Sequence, residues 1–204
     1  MEIEEHAIIH DIIKSFITFY FDDFWKIAKR YLAEEGWKRL LEYEPLFIRQ
    51  EYGAFYPLVD VLIILYKKHE KYENKPVFLV LPIGIEIKTG KLDPKIYEEQ
   101  IMKEVRTMDE FSISGGRKNI EKYLSRQLEV RAFIDNITSV GYVLIGKRKY
   151  MQNTLEFFEE KRKIKTPEYR ISGKIHTGYI PLEDVYLMVK QKLPEILAKF
   201  ETEG

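Results

Sequence analysis

The stretch PLVDVLIILYKKHEKYENKPVFLVLPIGIEIKTG, residues 57–90, decides the fold. Two apolar runs, FYPLVDVLIILYK and PVFLVLPIGIEIK, flank the charged segment HEKYENK, which is the pattern of two strands joined by a turn. The first run is too continuously apolar for a strand with one wet face, so it is read as a strand of a sheet covered on both sides. Pro82 and Gly84 predict a bend or bulge in the second run. In an antiparallel hairpin, facing positions run in opposite directions about a fixed pivot. A pivot at Glu73, the centre of HEKYENK, brings Asp60 opposite Glu86, at roughly 5 Å between Cβ atoms.

Asp60 lies between Val59 and Val61, where an unpaired carboxylate is costly. A second carboxylate facing it adds repulsion, relieved by a shared proton or by a cation between the two. Lys88 has the strand parity of Glu86, so its side chain leaves on the same face. Two carboxylates and one ammonium therefore converge at one strand end. Ligation by oxygen suits Mg2+ or Mn2+, and an amine beside such a site can orient a water or help remove its proton. Taken singly, these residues are unremarkable: Glu-x-Lys is commonplace on solvated strands, and a core Asp bonded to backbone amides explains Asp60 as well as a ligand does. Their meeting at the hairpin pivot is what ties them together.

Working outward, residues 5–42 carry apolar positions at helical spacing and read as two helices breaking near Gly36, and PLFIRQEY as a first strand. After the hairpin, Asp93 caps a helix with Pro94 at its first position, running to about Met108. The loop SISGG leads into a further helix from Arg117 to about Asp135, and VGYVLIG is a fourth strand. Residues 150–165 form a charged helix, EYRISGKIHTGYI a late strand or hairpin, and LEDVYLMVKQKLPEIL a closing helix interrupted by Pro194. The order is that of an α/β protein with a mixed sheet. The SISGG loop lacks the full pattern of a nucleotide-binding loop and reads as a plain connection. His6 and His10, one helical turn apart, have no third partner and read as an ordinary helix face.

Asp60 followed by Glu86-Ile87-Lys88 at the end of the next strand, and then by a helix, resembles the PD-(D/E)xK nuclease superfamily. Pro57 stands three residues before Asp60 rather than next to it, so the nominal Pro-Asp pair is absent. The resemblance covers residues 30–146. It implies a restriction-endonuclease-like αβββαβ core within a single nuclease-like domain of residues 1–204, with extra helices at both ends and a C-terminal extension over 147–204. It implies a metal-dependent DNA nuclease leaving a 5′-phosphate, with Asp60 and Glu86 as Mg2+ or Mn2+ ligands, the Ile87 carbonyl as a backbone ligand and Lys88 as general base or water-orienting group. Gln100 is similar to the Gln of RecB-type members, where it touches the metal site or DNA; the Tyr that often follows one turn later is absent, position 104 being Glu. By analogy with archaeal Holliday-junction resolvases, a glutamate before the first strand completes the metal site, Glu35 first and Glu34 second. The whole is also similar to small nucleases of crenarchaeal viruses.

Composition limits the alternatives. The 204 residues carry 33 basic and 33 acidic side chains, so no net field draws the chain to a polyanion and any such site must be local. The absence of cysteine excludes disulfides, thiolate nucleophiles and iron–sulfur clusters. Charged residues at 32 % match the drift of thermophile proteins. An acidic N-terminus and the lack of a long apolar run predict an intracellular protein with no membrane partner. Between Gly141 and Gly178 nine Lys and Arg stand against four acids. Lys147, Arg148, Lys149, Lys161, Arg162 and Lys163 are accordingly the expected DNA-binding residues. The symmetry of duplex DNA makes a homodimer an expected partner state. Two other readings remain open: a nucleic-acid-binding protein of the same fold that does not cleave, and an interaction protein in which Asp60 and Lys88 form a buried ion pair.

Overall fold

A computed structural model of the chain describes residues 2–34, 37–38, 40–50, 59–69, 76–114, 116–135, 139–164 and 175–202. The order of elements is α1 (Glu2–Phe19), α2 (Phe21–Glu34), β1 (Glu44–Gln50), β2 (Val61–Lys68), β3 (Val77–Lys88), α3 (Glu98–Ser114), α4 (Gly116–Gln127), β4 (Phe133–Ile134), β5 (Val140–Gly146), α5 (Met151–Lys163), β6 (Ile175–Pro181) and α6 (Leu182–Thr202). The strands form one mixed open sheet in the order β1-β2-β3-β5-β6, with the two-residue β4 also pairing with β3. Strands β1, β2 and β3 are antiparallel neighbours, whereas β5 runs parallel to β3 and β6 parallel to β5.

Because side chains alternate along a strand, the sheet buries one parity on each face. Val61, Ile63, Ile83, Ile85 and Ile87 pack under α1, α2 and α6 with Phe24, Trp37 and Val185. Leu62, Ile64, Val80, Tyr142 and Leu144 pack under α3, α4 and α5 with Ile101, Val105, Leu124 and Phe158. This two-sided cover explains why β2, β3 and β5 read as unbroken apolar runs. Strand β6, from the segment beyond residue 146, joins the same sheet, and α6 covers the same face as α1 and α2.

The hairpin register is the one expected from a pivot at Glu73, which itself lies outside the described residues. Val61 pairs with Ile85, Ile63 with Ile83 and Lys68 with Phe78, with no shift along the pair. The bulge expected at Pro82 and Gly84 is therefore not in this ladder. Residues 79–82 fall between the β4 and β5 contacts on the other edge of β3, so the missing N–H of Pro82 interrupts no ladder there. Gly84 serves a different purpose: a Cβ at this position would lie 2.7 Å from Met108 Sδ and 2.8 Å from Val59 Cγ1, so its absence lets α3 sit close to the sheet.

Several boundaries differ from those expected. The break between the N-terminal helices falls at Tyr20, whose ring stacks on Phe16 at 5.8 Å, and α2 then runs to Glu34. The acids Asp22 and Asp23 open α2, where the helix dipole favours negative charge. Asp93 caps a turn rather than the helix: its carbonyl accepts from the Ile96 and Tyr97 amides, and α3 begins a turn later. Helix α4 stops at Gln127 because Glu129 adopts a left-handed backbone, φ 53°, and β4 takes up residues once expected in that helix. Helix α6 continues through Pro194 rather than breaking there.

Candidate active site at the carboxyl ends of the parallel strands

Strands β3, β5 and β6 end together, with Lys88 beside Gly146 and Gly146 beside Pro181. The antiparallel β2 begins at the same end, directly after Asp60. In open α/β sheets this edge is where ligands bind, because the loops leaving the parallel strands face one another there.

Asp60 occupies a bend just before β2. Val59 packs on the face of Gly84 while Val61 belongs to the opposite core, so the chain turns at Asp60 and its side chain fills the end of the strand. Asp60 Oδ2 accepts the Ile87 amide at 2.7 Å and so takes the place of the next acceptor that β2 would have supplied. An extended residue sends its N–H and C=O to the same edge, so the Ile87 carbonyl also points to the Asp60 side. Asp60 is thus held at the end of β2 rather than inside it, a change from the expected position. Its Oδ1 meets His10 Nε2 at 3.0 Å, and this bond raises the His10 pKa. The ordinary helix face expected for His10 is therefore corrected: α1 delivers this imidazole to the site. The His6 side chain and Glu35 lie outside the described residues, as does the side chain of Glu34.

Glu86 and Lys88 leave β3 together toward α3 and are hydrogen-bonded to each other. A third carboxylate joins them. Glu104, buried on α3, accepts from Tyr142 Oη at 2.5 Å and from Gln100 Nε2 at 2.8 Å. Gln100 therefore acts on the cluster through Glu104. Position 104, one turn after Gln100, is thus an acid, and a tyrosine hydroxyl reaches it from β5.

The electrostatics follow from three acids and one amine in a largely apolar setting. Burial, then the charges of Glu104 and Asp60, push the Glu86 carboxyl up to about 8. Burial also raises Glu104, against the hydrogen bond from Tyr142 and the charge of Lys88. Burial pulls Lys88 down, but Glu86, Glu104 and Asp60 together outweigh it and hold the ammonium above its usual value. Glu86, Glu104 and Lys88 all keep protons longer than in water. The cluster is short of positive charge, and a proton or a metal cation answers that shortage equally in kind.

No family model matches the chain, and no curated protein or solved structure matches it.

The donor chemistry fits a hard divalent cation: carboxylate oxygens of Asp60, Glu86 and Glu104, with the Ile87 carbonyl aimed to the same side. The side chains do not form a closed cage, for among the described residues no three His, Asp or Glu are gathered closely enough to hold an ion. In its place Lys88 neutralises Glu86 directly.

The basic residues divide. Lys161, one of the expected DNA-binding residues, is buried, bonded to Glu98 and set over the Phe157 ring at 5.2 Å, so its ammonium is committed inside the protein. Arg148 is occupied by Asp184 Oδ1 at 2.5 Å and by Tyr31 Oη at 3.3 Å, and its amide donates to Glu183. Arg162 donates to Thr177 Oγ1 at 3.0 Å. Lys149, over the Tyr150 ring at 4.9 Å, and Lys163 are exposed, and Lys147 is half-buried directly after β5, beside the site. No described helix is long and apolar enough to cross a membrane.

Proposed function

We propose that the chain is a Mg2+- or Mn2+-dependent DNA nuclease of the PD-(D/E)xK type. The observation that carries this reading is the convergence of Asp60, Glu86, Glu104 and Lys88 on one sheet edge, with Glu86 pushed up to about 8 by burial and then by the other acids. The succession α2, β1, β2, β3, α3, β5 supports an αβββαβ core, with α4 and β4 inserted before the last strand and α1, α5, β6 and α6 added around it.

Asp60, Glu86 and Glu104 would draw together to hold the cation, which would supply charge neutralisation for the attacked phosphodiester and ease ionisation of water. Asp60 is fixed for this by the Ile87 amide and His10, and Glu104 by Tyr142 and Gln100. Lys88, held as an ammonium by its acidic neighbours, orients the attacking water and donates to the developing charge on phosphate oxygen. Were those acids compensated, burial would be the influence left on Lys88, and it disfavours the ammonium. Lys147, Lys149 and Lys163 supply backbone contacts to DNA that carry no sequence preference.

A second reading, a nucleic-acid-binding protein that does not cleave, draws support from the direct Glu86–Lys88 pair. Linear, covalently closed, single-stranded and four-way-junction DNA incubated with Mg2+ or Mn2+ separates the two. The nuclease cleaves at least one of them, and Lys88→Ala loses about 100-fold or more in rate with DNA affinity kept. Salt-dependent binding with no cleavage under any metal establishes the silent alternative instead.

A further inference from the structure

Between the chain segments that leave β3 and β5 is a cavity of about 440 Å³, within the size range of ligand sites, roughly 300–1,000 Å³. Its walls are the loop leaving β3, residues 91–95, and the chain leaving β5, from Tyr150 into α5. These strands are neighbours, Lys88 lying opposite Gly146, so the cavity opens at the edge that carries the candidate active site. We propose that it is a nucleotide subsite, taking a deoxynucleotide whose base carries an exocyclic amino group.

The walls differ in chemistry. On the loop side stand Lys91 and Lys95, both exposed, two ammonium groups able to meet a phosphate. On the α5 side stand Asn153, Glu156 and Glu160, rich in acceptors. Glu156 accepts from Gln152 Nε2 at 2.8 Å and, as a carboxylate, retains further acceptor sites. Buried Leu92 on the loop side, with buried Phe157 and the half-buried Tyr150 ring on the α5 side, supplies apolar surface against which a base can lie. An anion for the ammonium groups, a flat ring for the apolar surface and hydrogen-bond donors for the carboxylates describe a nucleotide. Adenine and cytosine bring an amino group to the carboxylates where thymine has a carbonyl, and guanine reaches them only through its N2 edge.

The shape is built into the fold. Asp93 accepts the Lys95 amide at 3.1 Å and fixes the loop, and the buried Lys161–Glu98 bond ties the start of α3 to α5. Lys161, which the basic run in the sequence assigned to DNA, thus braces the cavity.

This inference rests on the nuclease reading for its place in catalysis, but the binding it asserts needs neither metal nor cleavage. Metal-free full-length protein is titrated with deoxycytidine 5′-monophosphate, thymidine 5′-monophosphate, deoxycytidine and inorganic phosphate by amide-shift NMR. Deoxycytidine monophosphate binds about tenfold more tightly than the thymidine analogue. The double variant Glu156→Gln, Glu160→Gln removes that preference, and Lys91→Ala, Lys95→Ala weakens the monophosphates about tenfold while leaving deoxycytidine unchanged. All four substituted side chains are solvent-exposed, and an unchanged melting curve verifies that the variants fold. Absence of nucleotide binding, phosphate binding as tight as the nucleotide, or a preference that survives the double Gln variant overturns the subsite. A protein that binds the nucleotide but never cuts DNA overturns only the nuclease reading, and one that cuts without binding the nucleotide overturns only the subsite.

Discussion

Glu86 links the site to pH through stability. Its folded pKa, about 8, stands above the ordinary 4.5, so the native state binds this proton more tightly than the unfolded chain. The contribution is fully present below pH 4.5 and is lost as pH rises through 8. Stability of the metal-free protein should therefore fall by up to about 1.4 kcal/mol per pH unit across this window. Urea melts at successive pH values check this, and Glu86→Gln should flatten the dependence while remaining folded at high pH. Lys161 makes a different prediction. Removing its ammonium leaves Glu98 without its cation beside a partly desolvated wall, so Lys161→Ala should cost about 1–3 kcal/mol. DNA affinity should change little, whereas Lys149→Ala and Lys163→Ala, on exposed side chains, should weaken it and reduce its salt dependence. Filter binding across a salt series measures both.

At the scale of elements, Gly84 controls how closely α3 approaches the sheet and hence where Glu104 stands. Gly84→Ala must displace Met108 and Val59, at an expected cost of about 1–3 kcal/mol. Met108→Ala should recover part of that loss in the double variant, a coupling that denaturant melts of the four proteins reveal. The hairpin register was legible in the sequence because the apolar runs lie symmetrically about a charged turn, and a register slip would exchange the faces of every residue. Glu104 escaped notice because its partners Tyr142 and Gln100 meet only when a helix crosses a strand. Its signal was nonetheless present: Glu104 falls in the buried stripe of Ile101, Val105 and Met108, so it is a charge on an apolar face, the same argument that singled out Asp60. Lys161 could have been read the same way, four residues after Phe157 and three after Phe158, both buried. The break at Tyr20 has no Gly or Pro to announce it, and the two residues of β4 are too few for any periodicity.

For the whole molecule, two helical layers enclose a mixed sheet, and the carboxyl edge gathers charges that the core excludes. The α/β class could be read from the order of elements, and the register that brings the end of β3 beside the start of β2 from one chain segment. The contributions of α1 through His10 and of α3 through Glu104 depend on how layers pack across that edge. If the cluster is a cation site, ion binding must displace the protons it holds, so affinity and pH are linked. Calorimetric titration of Mn2+ at pH 7, in two buffers of different ionisation enthalpy, tests this most directly. The account predicts binding accompanied by release of close to one proton per ion, a release that fades above pH 9, and no comparable binding in Glu86→Gln. Absence of Mn2+ binding by the wild-type chain, or equal binding by Glu86→Gln, would contradict it.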